Sequence, residues 1–147
     1  MKYFTHLHLH TSYSLNSGTI KIDDLISIAK KKKISSLAMT DFLNIFGAVK
    51  FYNKCIRARI KPIIGCEIPL IIEQNNRIDN IVLLCQNIDG YYNLNKILSS
   101  IHKLRSSNLG ASLELLKKYN GDLICLSGAR NGLCGVNMLH TPVDLTR

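Results

Sequence analysis

The apolar residues of this chain fall into two patterns that alternate along its length. They recur at helical spacing in four segments: Ile22–Lys33, Phe46–Arg59, Tyr91–Lys103 and Ser112–Tyr119. Shorter apolar runs, typical of strands, lie between them: Ile34–Thr40, Pro62–Ile68, Ile81–Cys85 and Asp122–Ser127. Strands that alternate with helices in this way predict βα units around a mostly parallel sheet, so we expect the α/β class.

Polar and helix-breaking residues predict where these elements end. Thr11–Gly18 is rich in Ser, Asn and Gly and predicts a loop, and Gln74–Asn76 predicts a turn. Pro69 cannot donate a ladder hydrogen bond, so we do not expect the third strand to continue to Ile72. Gly132–Leu139 predicts the start of a further helix.

Three histidines alternate with leucines at the start of the chain. The segment His6–His10 therefore predicts a strand on which His6, His8 and His10 share one face, with successive Cα atoms roughly 6.5–7 Å apart. Two such imidazoles can converge on one divalent metal ion. The alternative is a half-buried strand whose polar face happens to be histidine. We favour a present or ancestral ligand set, because three of the five histidines fall in one run.

Two carboxylates stand near predicted strand ends. Asp41 directly follows the second strand, and Glu67 lies near the end of the third. In parallel βα architectures the loops beyond the carboxyl ends of the strands build the site. A buried carboxylate is costly unless it is paired or coordinating, so Glu67 is either functional or on a water-facing edge. Asp41 is either functional or a helix cap or turn residue.

The composition narrows the class of protein. The 147 residues carry 19 Lys+Arg and 10 Asp+Glu, a net charge of +9, and 46% are hydrophobic. This hydrophobic content excludes general disorder, and no apolar run reaches the roughly 18 residues of a membrane span, so we predict no membrane association. The charge favours an anionic partner, but an AT-rich genome would explain the lysines equally well. We interpret Lys30–Lys33 as a solvated helix end, with phosphate contact as its alternative.

The cysteines favour a reducing compartment. There are five, at positions 55, 66, 85, 125 and 134, and their irregular spacing predicts no disulfide framework. The N-terminus lacks the apolar core of a signal peptide, so we expect a cytoplasmic protein with reduced core thiols. Cys66 stands beside Glu67, where it is a thiolate-ligand candidate, but a cysteine in an apolar strand is more often a small core residue.

Five ordered pieces of the chain carry a family resemblance. They are Phe4–Leu15, Ala38–Phe42 continuing in Phe46–Tyr52, Ile60–Glu67, Gly90–Leu94 and Leu126–Gly128. Together they resemble the N-terminal PHP (polymerase and histidinol phosphatase) domain of bacterial DNA polymerase III alpha subunits. The last stretch, Leu139–Arg147, matches nothing. We therefore expect residues 1–138 to be the N-terminal part of a PHP domain and 139–147 to be an unassigned tail.

The resemblance implies a partial distorted (β/α) barrel with a metal-lined cleft, truncated before the barrel closes. In active members, His and carboxylate ligands hold a small cluster of Zn, Mn or Mg that activates water against a phosphoester. His8, His10 and Glu67 stand at ligand positions of the family, and Asp41 matches the acidic residue of its Thr-Asp-His motif. His6 stands beside the pair as a supporting residue.

Four positions depart from the family pattern. Phe42 replaces the His of the Thr-Asp-His motif, and Ser17 stands where an Asp is usual. Asn80 stands where a His is common, and Ala129 where a Cys ligand is common. Later ligands of the family would lie beyond the last residue of this chain. The resemblance therefore implies a degenerate metal site in a domain with a structural and docking role.

Three functional hypotheses follow. The first is the N-terminal module of a replicative DNA polymerase whose nucleotidyltransferase activity lies elsewhere in the parent subunit, so that this chain alone is inactive. Its implied partners are DNA through the parent subunit, the proofreading exonuclease subunit and other holoenzyme subunits. The second is a metal-dependent phosphoesterase of the PHP family, which Phe42, Asn80 and Ala129 oppose. The third is an inactive remnant of a truncated gene.

Overall fold

Helices and strands alternate along most of the chain. A computed structural model describes residues 4–15, 17–72, 77–103 and 109–127. The helices are α1 (Ile22–Lys31), α2 (Ala48–Arg57), α3 (Ile88–Lys103) and α4 (Leu113–Tyr119). The strands are β1 (Ser36–Met39), β2 (Lys61–Ile72), β3 (Arg77–Cys85), β4 (Ala111–Ser112) and β5 (Leu123–Leu126). This order confirms the predicted α/β class. The predicted turn at 74–76 and helix from 132 lie outside the described residues.

The described strands form one mixed sheet. Their order is β1-β2-β3-β5, and β4 lies beside β2. The predicted parallel pairing is found between β1 and β2 and between β4 and β2, whereas β3 is antiparallel to both β2 and β5. In the β2–β3 pair, Glu67 lies opposite Val82 and Pro69 opposite Asn80. Val82 and Asn80 of β3 therefore lie beside the middle of β2.

The longer helices cover one face of this sheet. Cys66 and Leu83, which are register partners, pack with Leu94 and Ile97 of α3. Leu37 and Met39 of β1 pack with α1 and α2 in a second cluster. Because Met39 pairs with Ile64, which shares a face with Cys66 by strand alternation, both clusters lie on the same side of the sheet.

The opposite face carries the polar side chains of interest. Ala38, Val82 and Leu84 are buried there, with Ile63 packed against them. Alternation along β2 and β3 places Glu67 and Asn80 on this same face. The fold thus separates an apolar, helix-covered face from a face on which a carboxylate and an amide stand side by side.

His6–His10 is not a strand, since the chain bends at His8, so that prediction is wrong. The segment follows β1 through hydrogen bonds from Ala38 N to His6 O (3.0 Å) and from Thr40 N to Leu9 O (2.9 Å). Between these two bonds the N-terminal segment advances by three residues, from His6 to Leu9, whereas the partner advances by two, from Ala38 to Thr40. The pairing is therefore not a regular ladder. Leu9 N bonds to Oγ1 of Thr40 (2.8 Å) rather than to a carbonyl. An alternating pattern does not reveal such an irregularity.

β2 continues through Pro69 to Ile72, contrary to the prediction. Glu67 directs both backbone groups toward the segment after β1, since its N bonds to Asp41 O (3.1 Å) and its O accepts from Leu43 N (2.9 Å). By alternation, the nitrogen of Pro69 points to the same edge. At this edge of β2 the nitrogen of Pro69 lies between the bridge of Phe42 with Glu67 and the pairing of Leu70 with β4. The missing N–H is tolerated because that stretch of the edge is outside both ladders.

Candidate metal centre

Three of the predicted ligand side chains meet at one point. The Nε2 atoms of His8 and His10 lie 2.8 and 2.5 Å from Oε2 of Glu67. The ligand atoms of all three residues lie within 4.8 Å of one another. The two imidazole rings meet edge to face, with centroids 5.3 Å apart. The irregular N-terminal segment thus still places both rings over the polar face of β2.

Glu67 is buried, and both oxygens of its carboxylate contact polar side chains. The residue is 7% exposed, which excludes the water-facing alternative. Oε2 contacts both imidazoles, and Nδ2 of Asn80 donates to Oε1 at 2.8 Å. These contacts offset the cost of burying a charged group, which explains how an apolar strand accommodates glutamate.

Asp41 lies beside this group but is used differently. It is completely buried. Its carboxylate accepts hydrogen bonds from Thr11 N (2.6 Å), Thr11 Oγ1 (2.7 Å) and Ser14 Oγ (2.6 Å). Within the described part of the chain, the group of ligand atoms close enough to share a metal ion does not include Asp41. Asp41 therefore bonds to the loop that follows His10, and because these partners lie 27–30 residues earlier in the chain, the contacts are not those of the helix cap or turn residue offered as its alternative.

Backbone hydrogen bonds within the loop Thr11–Gly18 link its beginning to its end. Ser14 N and Gly18 N donate to Thr11 O (3.0 Å) and Ser14 O (2.9 Å). A Cβ atom at Gly18 would lie 1.8 Å from Thr11 O, so any other residue there requires the backbone to shift. Phe42 donates its N–H to Ser14 Oγ (3.0 Å). The loop and the Asp41–Phe42 segment are therefore one hydrogen-bonded unit.

His6 lies away from the ligand group. It is exposed, and its ring contacts Phe4 edge to face with centroids 4.7 Å apart. The structure thus brings together two of the three histidines that an ideal strand would have aligned.

A strained residue follows the Asp41–Phe42 segment. Leu43 has a φ of 54°, which lies in the left-handed region that a branched side chain rarely adopts. Its N–H donates to Glu67 O (2.9 Å), and its carbonyl oxygen accepts from Nε2 of His102 on α3 (2.8 Å). The last turn of α3 is therefore tied to the backbone beside the site, a contact that sequence reasoning missed because it spans 59 residues.

Cys66 is a core thiol rather than a ligand. It is buried under α3, and desolvation raises the pKa of its thiol to about 12. Its Sγ donates to Asp41 O (3.1 Å). Of the other cysteines that the structure describes, Cys55 is also buried, whereas Cys125 is exposed on β5 and does not match the predicted core position.

The donor types of the three-residue group fit a divalent metal ion. Imidazole nitrogens and a carboxylate oxygen are ligands for zinc, and a catalytic zinc site uses three protein ligands and an open position. His8, His10 and Glu67 would hold such an ion. A bound ion would supply a Lewis acid that lowers the pKa of a coordinated water.

A family comparison covers nearly the whole chain. A family model described as the PHP domain matches residues 6–143. The chain belongs to the PHP domain family. The match includes every residue of the ligand group as well as Asp41 and Asn80.

Curated relatives of this PHP domain are DNA polymerase III alpha subunits. The subunit of Borreliella burgdorferi is 40% identical over 141 residues, which cover 88% of this chain and 12% of the relative. The subunit of Buchnera aphidicola subsp. Schizaphis graminum is 35% identical over 146 residues, which cover 97% of this chain and 13% of the relative. The chain thus spans about an eighth of the length of these relatives.

Solved structures share the fold of this PHP domain. A putative metal-dependent phosphoesterase from Bifidobacterium adolescentis matches with a TM-score of 0.54 at 16% identity, over 69% of this chain and 34% of that protein. An amidohydrolase from Chromobacterium violaceum, solved with sulfate and no metal, matches with a TM-score of 0.55 at 24% identity over the same shares. No described helix is long and apolar enough to cross a membrane.

Proposed function

We propose that this PHP domain is the N-terminal module of a replicative DNA polymerase III alpha subunit, acting in DNA replication as a structural and docking unit. Its partners would be DNA through the parent subunit, the proofreading exonuclease subunit and other holoenzyme subunits, in the cytoplasm. The observation that carries the proposal is the similarity to alpha subunits over nearly the whole chain. On this proposal residues 1–138 belong to the PHP domain, and nucleotidyl transfer is performed by residues outside this chain.

We also propose that the metal site is degenerate. Phe42 stands where the family's motif has a histidine, and Asn80 donates to Glu67 where a histidine is common. The carboxylate of Asp41 is occupied by three donors of the adjacent loop. His8, His10 and Glu67 remain as ligands for at most one divalent ion, Zn, Mn or Mg, with His6 outside their contact. Such a site lacks the second ion that clamps a phosphoester in two-metal hydrolysis.

Two measurements test this proposal. Purified chain, analysed by mass spectrometry for bound metal, should hold no more than one ion and should not hydrolyse a generic phosphodiester with added manganese. The proofreading exonuclease subunit of the same organism should form a complex with the chain, detected by calorimetry. Failure to bind that subunit would contradict the docking role. A stop codon directly after Arg147 in the encoding DNA would contradict the polymerase assignment and favour the remnant of a truncated gene.

A metal-dependent phosphoesterase is the second candidate. It is favoured by the ligand group His8, His10 and Glu67 and by the shared fold with a protein described as a putative metal-dependent phosphoesterase. Turnover of a phosphodiester that needs added metal and disappears in the Glu67→Gln variant would establish this alternative. Turnover that survives in that variant would point to a contaminating enzyme instead.

A further inference from the structure

Asn80 holds the one carboxylate oxygen that the histidines leave free. Its Nδ2 donates to Glu67 Oε1 at 2.8 Å, while Oε2 contacts His8 and His10. Asn80 stands on β3, where it faces Pro69 in the register, and so reaches Glu67 diagonally across the two strands. The side chain comes from a strand that is paired on both edges rather than from a loop.

The amide restricts how Glu67 can turn. Rotation about the last side-chain bond is broad for glutamate, so the carboxylate alone would sample many orientations. With Oε1 bound to an N–H of Asn80, Oε2 is directed at both imidazoles. Carboxylates that ligate metals are themselves hydrogen-bonded in this way, and loss of such a partner typically costs about 10–100-fold in metal affinity.

The same contacts define the hydrogen positions of the metal-free site. An ionised carboxylate only accepts hydrogen bonds, so with Glu67 in this form the contacts require a hydrogen on Nε2 of His8 and on Nε2 of His10. A metal ion on these Nε2 atoms needs their lone pairs, which leaves the hydrogen of each neutral ring on Nδ1. Hydrogen-bonded cluster and metal site are therefore two alternative uses of the same three side chains.

We propose that Asn80 is a positioning residue that orients Glu67 toward both histidines, and that it thereby sets the affinity of this site for a single divalent ion. The proposal deepens the assignment of a reduced metal site and rests on that part of the proposed function. It does not depend on the polymerase context. Nothing in the family motifs assigns this role to an asparagine, since the family commonly has a histidine at that position.

The test uses the full chain and zinc alone. In metal-free protein, two-bond ¹H–¹⁵N spectra should show His8 and His10 with hydrogen on Nε2, and saturating zinc should move both hydrogens to Nδ1. In Asn80→Ala, the metal-free rings should lose this uniform state, and zinc affinity measured by calorimetry should fall about 10–100-fold. Asn80→Gln, which keeps the amide donor, should recover part of the affinity.

Asn95→Ala is the matched control. Asn95 Nδ2 donates one hydrogen bond to Tyr91 O (2.9 Å) on α3, away from the site, so its loss should leave zinc affinity unchanged. Equal zinc affinity of wild type and Asn80→Ala would overturn the proposal, as would hydrogen on Nδ1 of both rings in metal-free wild type. A wild-type chain that binds no zinc would also overturn it, while leaving the polymerase assignment intact.

Discussion

Replacement of Asp41 tests whether this carboxylate is a structural acceptor or a metal ligand. Three donors converge on it: the backbone N–H of Thr11 and the hydroxyls of Thr11 and Ser14, at 2.6, 2.7 and 2.6 Å. Asp41→Ala removes all three acceptor contacts from a fully buried position. A ligand-only role predicts that stability in the presence of a chelator does not change.

The expected loss can be worked out from these contacts. The two hydroxyls can rotate to other acceptors, but the N–H of Thr11 is fixed and stays unsatisfied, which costs about 1–3 kcal/mol. Hydrogen bonds to a charged group contribute about 1.5–3 kcal/mol each, and part of this is lost at both hydroxyls. We therefore expect Asp41→Ala to lower the free energy of unfolding by about 3–5 kcal/mol, a large share of a typical 5–15 kcal/mol.

Asp41→Asn gives an intermediate value on the same reasoning. Oδ1 still accepts from Thr11 N and Ser14 Oγ, and the new amide can donate to Thr11 Oγ1, because a hydroxyl also accepts. Only the charge is lost, so we expect a decrease of about 1–2 kcal/mol. Asp24→Asn, exposed in the first turn of α1, is the control and should lower stability by less than about 1 kcal/mol.

Urea unfolding followed by circular dichroism, with chelator present, measures all three variants. An Asp41→Ala protein within 1 kcal/mol of wild type, on the scale of one net hydrogen bond of about 1 kcal/mol, would refute the structural role. So would equal losses for the Ala and Asn variants, because they differ in the acceptor that the structure identifies. A variant that fails to fold supports the role only if Asp41→Asn folds with the intermediate stability.

The loop, the strained leucine and the buried thiol each allow one more test. Gly18→Ala should lower stability by about 1–3 kcal/mol in urea, because backbone must move where its Cβ would lie 1.8 Å from Thr11 O; unchanged stability would contradict the loop geometry. His102→Ala should cost about 1 kcal/mol by removing the donor to Leu43 O, whereas the exposed His6→Ala should be neutral. Burial raises the pKa of Cys66 from 9.0 to about 12. Its contribution to stability is therefore complete below pH 9 and is lost as the pH rises toward 12, so wild type should lose stability more steeply than Cys66→Ala in that range.

The helices were predictable from the spacing of their apolar residues, although that spacing does not always identify the buried face. In α2, Val49, Tyr52 and Ile56 are exposed, whereas the buried residues are Ala48, Phe51 and Cys55. The stripe of α1 (Ile22, Leu25, Ile26 and Ala29) is buried as the helical period requires. The continuous run of β3 is buried on both faces, at Leu83 beneath α3 and at Val82 opposite. β4 was missed because two residues, Ala111 and Ser112, carry no periodicity. His6–His10 has the alternating sequence of a strand but does not form a strand ladder. One of its backbone groups, the N–H of Leu9, bonds to the hydroxyl of Thr40 instead of to a backbone carbonyl.

The candidate site was predictable only in part. Alternation and family resemblance indicated His8, His10 and Glu67, and the structure brings these together. Neither source distinguishes Asp41 from Glu67, since both are acidic residues near the ends of strands. Thr11 and Ser14 were not recognised as the partners of Asp41, although a Ser/Thr-rich loop beside a buried acid is a recognisable signal for such bonds.

What separates the two buried carboxylates is the kind of atom that faces each one. Asp41 meets a backbone N–H, which can only donate, and the hydroxyls of Thr11 and Ser14. Glu67 meets two imidazoles, whose nitrogens either donate a hydrogen or bind a metal. The metal site that we propose therefore depends on the imidazoles that face Glu67 as well as on its carboxylate. Those partners are separated from Glu67 by 57 and 59 residues, and only the folded sheet brings them together.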